Sequence, residues 1–499
     1  MADNSGLIAD ALNKTDPELA NRVDVNSWKE AIAKRGARIK LYRNYERGDH
    51  RADMTTQMKK MLRLSSDEAG LTDFNANLMR TVIDKMAGRI FVSNVQTDDG
   101  SKAWMEETLG RNDFDAAQSL WYRGAIRDGD SFVMVDPKTL LWSAEPAYDG
   151  FSGIVSIFDT MTRKAIWACK LWSEADTADI AGDESGSSNI KLIVYQPNAI
   201  SYWTGGENGS QVVPGEGAPS WPLGKIPIIK FSNQLDSYTN YGESELRPAI
   251  PLQDVLNRTI HSMVMASEFT AFSVLWSIGF ELDVDGIVPG AVLNLVLRAP
   301  TNSDGTGGGV VNSPTDAQLE FLKAAKVGQF QGADISQYTN QIDKIVQQIS
   351  HITATPMYGV TTQGNLSGEA LKQLEIGLLG KVERFQHQNT DAIKELIELT
   401  AMMQNGFDST EGGIAPDFDM VHVIWKSPEI LDVNSRIATL TALREKAPGL
   451  FTDEWYIKRV GTLLGMGQSD IEDEIKNAAS QAGNFFEALT GTGGGVPVV

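Results

Sequence analysis

Over the first 130 residues, apolar positions recur at three- and four-residue spacings, a pattern that predicts helices. The pattern extends over 26–64, over 75–91 and over 113–128. A Gly-containing turn follows the third segment, and the short apolar run 131–135 comes directly after it. Because short apolar runs beside turn residues are typical of strands, we predict a strand there.

Short apolar runs then alternate with joints rich in Gly, Ser, Asp and Asn as far as residue 232. This alternation predicts strands separated by turns and loops. The candidate strands are 154–158, 164–172, 191–195 and 226–231. Residues 1–242 are therefore predicted to form a mixed helix and sheet unit, which makes the fold class α+β.

Two helical patterns flank a different kind of segment in the middle of the chain. Residues 243–272 contain early prolines, which the first turn of a helix tolerates, followed by an apolar stripe. Residues 273–330 contain short apolar runs and a Gly-rich stretch, which predict a small insert of strands and loops. The helical pattern returns over 331–352.

The second of these helices has the most regular pattern in the chain, with alternating three- and four-residue apolar steps. Such a seam is typical of helices packed side by side. The seam consists of Ile335, Tyr338, Ile342, Ile345, Ile349 and Ile352. Only Asp334, Asp343 and Lys344 are charged between 333 and 352, fewer charges than an isolated surface helix usually carries. We therefore predict that this helix packs against its neighbours.

An uncharged segment separates the seam from a long helical pattern. Residues 353–366 contain no Asp, Glu, Lys or Arg. The apolar stripe that follows predicts a helix ending near residue 404. Ser367 is its predicted cap, and Glu369 lies in its first turn, where a carboxylate meets the positive end of the helix dipole.

Glycines inside the long helix and a change of pattern after it complete the sequence. Gly377 and Gly380 lie three residues apart and are the predicted site of a kink. Residues 405–428 contain a short apolar run that predicts a strand. Residues 429–482 have helical spacing with a capping box, and the Gly-rich end, 483–499, is predicted to be disordered.

The composition excludes several classes of protein. The chain has 499 residues, of which 42% are hydrophobic and 22% charged, as is usual for a globular protein. Cys169 is the single cysteine, so neither a disulfide framework nor a thiolate zinc site can form within one chain. No apolar run is long enough to span a membrane, and the N-terminus lacks the features of a signal peptide. We therefore expect a soluble protein of the intracellular type.

The charge pattern limits nucleic-acid binding. A formal net charge of −21 disfavours nonspecific binding of a polyanion, because such binding depends on cations that neutralise phosphates. Residues 34–63 are the exception, with ten Lys and Arg against three acids. This basic stretch is a candidate surface for nucleic acid or an acidic partner, and a solvated helix face is the alternative explanation.

Few residues form patterns typical of catalysis. The sequence contains no P-loop motif and no His-Glu-x-x-His pair. Asp128, Asp130 and Asp136 flank the predicted strand 131–135 and are candidate ligands for a divalent metal, although turn chemistry also explains them. We predict no catalytic residue, no cofactor and no metal, and we keep two alternatives: a metal-dependent enzyme using the three aspartates, or a nucleic-acid-binding module using 34–63.

Several segments follow one another in the order found in a known family. They are Tyr42-Arg43-Asn44-Tyr45-Glu46-Arg47-Gly48-Asp49-His50, then 77–90, 129–136, Pro227-Ile228-Ile229-Lys230-Phe231, Gly242-Glu243-Ser244-Glu245-Leu246 with Asn257-Arg258, and Ser367-Gly368-Glu369-Ala370-Leu371-Lys372. The last string is the most diagnostic, and together the segments cover nearly the whole chain. The sequence thus resembles portal proteins of siphophage-type tailed bacteriophages, which form the ring through which DNA enters and leaves the capsid.

The resemblance implies a portal-type fold. Its parts are an α+β wing, a two-helix stem, a small α/β clip, a long kinked tunnel helix and a helical crown. The implied ranges are 1–242 for the wing, 243–272 for stem helix 1, 273–330 for the clip, 331–352 for stem helix 2, 353–367 for the tunnel loop, 368–404 for the tunnel helix, 405–428 for a return strand of the wing, 429–482 for the crown and 483–499 for a disordered tail.

The resemblance also implies that the tunnel loop forms the narrowest part of a DNA channel. The candidate lining residues are Thr355, Tyr358, Val360, Thr361, Gln363 and Asn365, and the candidate opening of the tunnel helix is Ser367, Glu369 and Lys372. An uncharged loop suits this role, because Lys or Arg facing the channel would bind phosphate and retard DNA.

The partners implied by the resemblance are those of a capsid vertex. The chain would assemble in the host cytoplasm into a homo-oligomeric ring, usually of twelve subunits, and become part of the virion. It would contact the major capsid protein, the terminase large subunit and a head-completion or adaptor protein. Double-stranded DNA would pass through without sequence specificity, with no membrane involved.

Overall fold

The structure of the chain is a computed structural model, and two compact units, 1–426 and 427–499, can be distinguished in it. The residues that it describes are 3–50, 75–98, 100–159, 161–173, 190–205, 212–215, 224–235, 240–271, 275–278, 326–329, 334–357, 368–407, 421–429, 433–447, 452–464, 471 and 474–478. All structural statements below concern these residues.

The first unit contains both helices and strands. Its first half consists of α1 (Ser5–Thr15), α2 (Pro17–Arg22), α3 (Val25–Arg47), α4 (Met79–Ala87), β1 (Val92–Gln96), α5 (Lys102–Arg111), α6 (Phe114–Asp128), β2 (Asp130–Val135) and β3 (Trp142–Pro146). The β-rich part follows with β4 (Gly153–Phe158), β5 (Ala165–Ser173), β6 (Ile190–Gln196), β7 (Ala199–Gly205), β8 (Val212–Pro214) and β9 (Ile228–Ser232). The unit ends with α7 (Ile250–Ala271), β10 (Leu275–Ile278), β11 (Lys326–Gln329), α8 (Ile335–Ile352), α9 (Gly368–Phe407) and β12 (His422–Trp425).

Two antiparallel sheets organise the first unit. The strand order is β3-β2-β9 in one sheet and β4-β5-β6-β7-β8 in the other, so the larger sheet is a simple meander. β12 pairs with β1 across more than 300 residues of chain, with a bulge between Val92 and Asn94. The mixed helix and sheet composition confirms the predicted α+β class.

Two apolar cores lie in this unit. The larger one packs α6 against β2, β9 and the long helix α9, with Trp121, Tyr122, Phe231 and Phe385 all nearly inaccessible to solvent. The smaller one packs α1 against the five-stranded sheet, and Trp167 lies at its centre with no exposed surface. Burial of such large aromatic side chains is a major source of folding free energy.

The first predicted helix begins where expected but ends earlier than predicted. The sequence pattern suggested 26–64, but α3 ends at Arg47. Gly48 follows with a φ of +87°, and the Gly48 and Asp49 amides both donate to the Asn44 carbonyl at 3.0 and 2.9 Å. This is a glycine C-cap, which terminates a helix whatever the spacing of the apolar residues beyond it. Residues 51–74 lie outside the described residues.

The other predicted elements agree well with those observed. The helices over 113–128 and 331–352, the strand over 131–135 and the four candidate strands all correspond to observed elements, within a few residues at their ends. The helix of the range 243–272 ends at Ala271 but begins only at Ile250. Short elements with weak patterns were not predicted, namely α1, α2, α5, β1, β3, β7 and β8. The helix predicted over 75–91 corresponds to α4, which occupies only Met79–Ala87 and is therefore shorter than predicted.

The two predicted stem helices contact each other. α7 packs against α8 within the first unit. The short strands β10 and β11 lie directly after α7 and shortly before α8, and they pair antiparallel from Leu275 with Gln329 to Ile278 with Lys326. The chain thus enters and leaves the predicted clip through a two-stranded ribbon, while 279–325 lies outside the described residues.

The second unit is helical where it is described. It contains α10 (Val433–Lys446), α11 (Asp453–Leu464) and a short helical stretch over 474–478. α10 packs against α11, and Arg444 bridges to Asp453 at 2.6 Å. No helix in the described part of the chain is both long and apolar enough to cross a bilayer.

Candidate functional site

The structure describes the beginning of the predicted tunnel loop, residues 353–357, which we call the loop root. Thr353 and Thr355 are almost completely buried, and Pro356 and Met357 are buried as well. Thr355 was predicted to line the channel, but its burial inside the subunit is not compatible with that position. The other candidate lining residues, Tyr358, Val360, Thr361, Gln363 and Asn365, lie outside the described residues, so their role stays a prediction.

Backbone hydrogen bonds join the loop root to the end of α8. The Thr353 amide donates to the Ile349 carbonyl at 3.0 Å, and the Thr355 amide donates to the Ser350 carbonyl at 3.0 Å. The Ser350 hydroxyl in turn donates to the Thr355 carbonyl at 2.6 Å. Ala354 has a φ of +45°, a left-handed conformation that is costly for a residue with a side chain. The helix therefore ends in a tight, strained turn that other contacts must hold.

One face of α9 supplies those contacts. Gly377 approaches Ala354 so closely that a Cβ added at Gly377 would lie 3.0 Å from the Ala354 Cβ. One helical turn later, the Lys381 ammonium group donates to the Thr353 carbonyl at 2.6 Å. Because residues four apart lie on the same side of a helix, both contacts come from a single face directed at the loop root.

Lys381 also binds a buried carboxylate. Its ammonium group forms an ion pair with Glu245, whose side chain is 3% exposed against 16% for Lys381. The Glu245 carboxylate accepts further hydrogen bonds from the side-chain amide of Asn233 at 3.2 Å and from the side-chain amide of Gln234. A buried carboxylate is stable only when it is paired in this way. Glu245 thus joins the end of β9, the approach to α7, and α9.

A second ion pair fixes the same half of α9. Arg89 binds Glu375 at 2.9 Å, with both side chains largely buried. α9 is continuous from Gly368 to Phe407, and at about 1.5 Å per residue its 40 residues span roughly 60 Å. Gly377 and Gly380 lie inside this uninterrupted helix, and the predicted kink stays a prediction. Ser367 lies outside the described residues, and the side chains of Glu369 and Lys372 are not described.

The predicted seam of α8 is only partly buried within one subunit. Ile345 and Ile349 are buried, together with Val346, while Ile335, Tyr338 and Ile342 are half-buried. Ile352, at the end of the seam, is 49% exposed. Packing against α7 accounts for the buried part, and packing of the remaining residues against neighbouring subunits stays a prediction.

The three aspartates proposed as metal ligands have other partners. Asp128 pairs with Arg43 at 2.8 Å and with Arg127 at 2.8 Å, so two guanidinium groups neutralise one carboxylate. Asp130 accepts from Arg35 at 2.5 Å and from the Ser232 hydroxyl at 2.6 Å. These contacts make both carboxylates structural.

Geometry separates the third aspartate from the other two. Asp130 is the first residue of β2 and Asp136 follows the last one, so the extended backbone places them roughly 20 Å apart at about 3.3 Å per residue. Asp136 instead stabilises a turn by accepting from the Lys138 amide at 2.9 Å and the Thr139 hydroxyl at 2.9 Å. Among the described residues, no group of three His, Cys, Asp or Glu is placed to hold a metal ion.

The basic stretch is only partly available to a ligand. Arg35 and Arg43 point inward, where Arg35 binds Asp130 and the Arg43 guanidinium binds Asp128, Asp149 and the Ala147 carbonyl. Lys34, Arg38, Lys40 and Arg47 are exposed on α3, and the remaining cations lie outside the described residues. At least two of the ten cations thus stabilise the fold, which weakens the hypothesis of a nucleic-acid surface.

A contact between distant sequence segments was not predicted. The His50 ring stacks on Tyr45 at a centroid distance of 4.3 Å, and the His50 Nε2 lies 3.0 Å from the Asn257 amide of α7. The Tyr45 hydroxyl donates to Asp254 of the same helix at 2.5 Å. Burial lowers the pKa of His50, and the carboxylates of Asp254 and Asp49 act in the opposite direction. His50 therefore packs the end of α3 against α7.

Sequence reasoning also missed Glu245 and Lys381. Glu245 belongs to a segment singled out for its resemblance, but nothing in the sequence pairs it with a lysine 136 residues later. An isolated Lys in an amphipathic helix is usually solvated, and only the tertiary structure shows that this one is not.

Comparison with known proteins identifies the family. A family model described as "Phage portal protein, SPP1 Gp6-like" matches residues 67–481, which is most of the chain. The portal protein of Mycobacterium phage D29 is 23% identical over 393 residues, covering 77% of this chain and 75% of that protein. The portal protein of Mycobacterium phage L5 is 22% identical over 411 residues, covering 79% of this chain and 76% of that protein.

Solved structures give a weaker likeness. The neck of a native GTA particle, computed with C12 symmetry, has 10% identity and a TM-score of 0.39, covering 84% of this chain and 96% of that chain. The neck of an empty GTA particle, computed with C6 symmetry, has 10% identity and a TM-score of 0.42 with the same coverage. The sequence match to the family model, over more than four fifths of the chain, shows that this chain belongs to the phage portal protein family of the SPP1 Gp6-like type.

Proposed function

We propose that this chain forms a ring at one vertex of a phage capsid and that the genome passes through the ring during packaging and ejection. Membership of the portal family is the main support. The observation that carries the proposal further is an uncharged loop, 353–366, whose root is held between α8 and α9. A loop fixed at its base and free of cations suits a channel constriction, because it narrows the passage without binding phosphate.

The finer parts of this proposal follow the resemblance. The ring would contain twelve copies, with the wing, stem, clip, tunnel loop, tunnel helix and crown at the ranges given above. Its partners would be the major capsid protein, the terminase large subunit and a head-completion or adaptor protein, and assembly would take place in the host cytoplasm. The protein acts by geometry and charge and performs no covalent chemistry. With Thr355 assigned to the loop root, the proposed lining residues are Tyr358, Val360, Thr361, Gln363 and Asn365.

Lysine substitution tests the lining residues. We expect Thr361→Lys and Gln363→Lys to leave ring formation intact but to lower the yield of DNA-filled heads, because each copy in the ring would add a phosphate-binding cation to the constriction. Native mass spectrometry counts the subunits in the ring, and negative-stain microscopy counts filled heads. Ser119→Lys provides the control, since it adds one cation at an exposed position of α6 that lies outside both the loop and the basic stretch. Normal packaging by both loop variants would contradict a channel-facing loop.

A further inference from the structure

One charged side chain, Lys381, holds the loop root through two contacts. The Lys381 ammonium group binds the Thr353 carbonyl at 2.6 Å, neutralises the buried Glu245 carboxylate and lies one turn from the Gly377 contact with Ala354. These two oxygen atoms accept from the ammonium group of a side chain that is only 16% exposed. Its position is therefore determined by the fold and not by surface solvation.

Strain in the turn makes this contact necessary. Ala354 holds a left-handed backbone conformation, which costs on the order of 1–2 kcal/mol for a residue with a side chain. Such a conformation persists only where surrounding contacts enforce it. Charge-assisted hydrogen bonds are among the stronger contacts in proteins, and Lys381 makes one to the carbonyl directly before Ala354.

Glu245 explains why Lys381 stays in place. The carboxylate is fixed independently by the side-chain amides of Asn233 and Gln234, directly after β9. The Glu245 amide also donates to the Ile126 carbonyl at 3.1 Å, which ties this residue to the end of α6. The lysine thus connects the loop root to a rigid part of the first unit that contains β9 and α6.

We propose that Lys381 is the positioning residue of the tunnel loop, holding its root on the Glu245 carboxylate so that the loop projects in one orientation from every subunit. This proposal rests on the proposed function, because the loop has a task only in a channel. Lys381 does not contact DNA in this proposal and acts through the backbone of Thr353. Breaking the contact releases the loop root while the cores of the subunit remain packed.

The main test uses a double variant. Lys381→Met alone leaves Glu245 buried without its cation, and that variant is expected to fold poorly. Lys381→Met combined with Glu245→Gln removes both charges, and the Gln carbonyl still accepts from Asn233 and Gln234. The matched control is Lys225→Met combined with Glu398→Gln, because Lys225 pairs at 2.5 Å with the same helix, α9, in a more exposed position.

Hydrogen exchange of the purified full-length protein supplies the direct measurement. The probes are the amides of Thr353, Ala354 and Thr355, which donate to Ile349, His351 and Ser350. We expect these amides to exchange about tenfold faster in the Lys381/Glu245 double variant, because a charge-assisted hydrogen bond is lost. Their exchange rates should be unchanged in the Lys225/Glu398 variant. Equal exchange in wild type and the Lys381/Glu245 variant, or equal acceleration in both variants, would overturn the proposal.

Assembled particles supply the second measurement. We expect the Lys381/Glu245 variant to form rings with the wild-type subunit number but to yield fewer DNA-filled heads than the Lys225/Glu398 variant. Wild-type numbers of filled heads, despite faster exchange at the loop root, would overturn the positioning role. Failure of the wild-type protein to form any ring would instead overturn the proposed function, and the exchange measurement would still decide whether Lys381 holds the loop root.

Discussion

Two glycines, Gly129 and Gly242, meet where β2 begins and where the approach to α7 begins. Gly129 has a φ of +92°, a conformation that favours glycine. A Cβ on Gly242 would overlap the Gly129 carbonyl oxygen and would lie 2.5 Å from the Asn233 carbonyl oxygen. The Gly242 amide donates to both oxygens of Asp130 at 3.1 Å. Only a residue without a side chain allows the two backbones to come this close.

We therefore expect Gly242→Ala to lower the free energy of unfolding by about 1–3 kcal/mol, the usual cost of forcing extra atoms into a packed site. Chemical denaturation monitored by tryptophan fluorescence measures the change. Gly110→Ala is the matched control, since a Cβ there meets nothing within 4 Å and lies in α5. The control is expected to raise stability by about 0.5–1 kcal/mol. Equal effects of the two substitutions would show that the Gly129–Gly242 contact is not tight.

Among the elements, α9 contacts both the larger core and the loop root. Its apolar residues Leu378, Val382 and Phe385 are buried in the larger core, and Gly377 and Lys381 face the loop root. A Cβ on Gly380 would meet nothing within 4 Å. The two glycines of the predicted kink therefore differ in their packing: Gly377 makes room for Ala354, whereas no neighbouring atom requires a glycine at Gly380.

The two glycine-to-alanine substitutions in α9 should differ in their effect on stability. Gly380→Ala is expected to stabilise the subunit by about 0.5–1 kcal/mol, because Ala restricts the unfolded chain and favours helix. Gly377→Ala is expected to leave the subunit less stable than Gly380→Ala does, because the added Cβ would press on Ala354. Thermal unfolding of both variants provides the comparison. Loss of stability in Gly380→Ala would indicate a kink at Gly380 that helix-favouring residues oppose.

At the scale of the whole molecule, one unit joins segments that lie far apart in the chain. β1 pairs with β12, and the segment ending at His50 packs on α7. Burial lowers the pKa of both His50 and His261. In the unfolded chain each imidazole takes up a proton near its ordinary pKa of about 6.5, whereas in the folded chain it stays neutral to lower pH.

The sign of the resulting pH dependence follows directly. As pH falls below about 6.5, the unfolded state binds protons that the folded state does not, so the free energy of unfolding should decrease. Replacing His50 by Asn should make this decrease shallower between pH 6.5 and pH 5, leaving the part due to His261. Denaturation curves at several pH values test this. An unchanged slope in His50→Asn would mean that His50 is not held neutral in the fold.

Local patterns determined most of the elements, because helix and strand periodicity depends on residues close together in the sequence. The α+β class, the seam helix α8, the uncharged loop and the long helix α9 were all predictable for this reason. The end of α3 was not, because a single glycine C-cap outweighs the apolar pattern beyond it. The pairing of Asp128 with Arg43 and of Asp130 with Arg35 was not predictable either, since these arginines come from a helix about 90 residues earlier.

Three features could thus be predicted from local sequence: most of the helices and strands, the uncharged loop, and the family that the order of motifs resembles. Tertiary structure alone decided which side chains are partners. It placed Thr355 in the interior, turned Arg35 and Arg43 inward and brought Lys381 onto Glu245 and Thr353. The physical reason is that burial and ion pairing depend on contacts between residues tens to hundreds of positions apart, which no local spacing records.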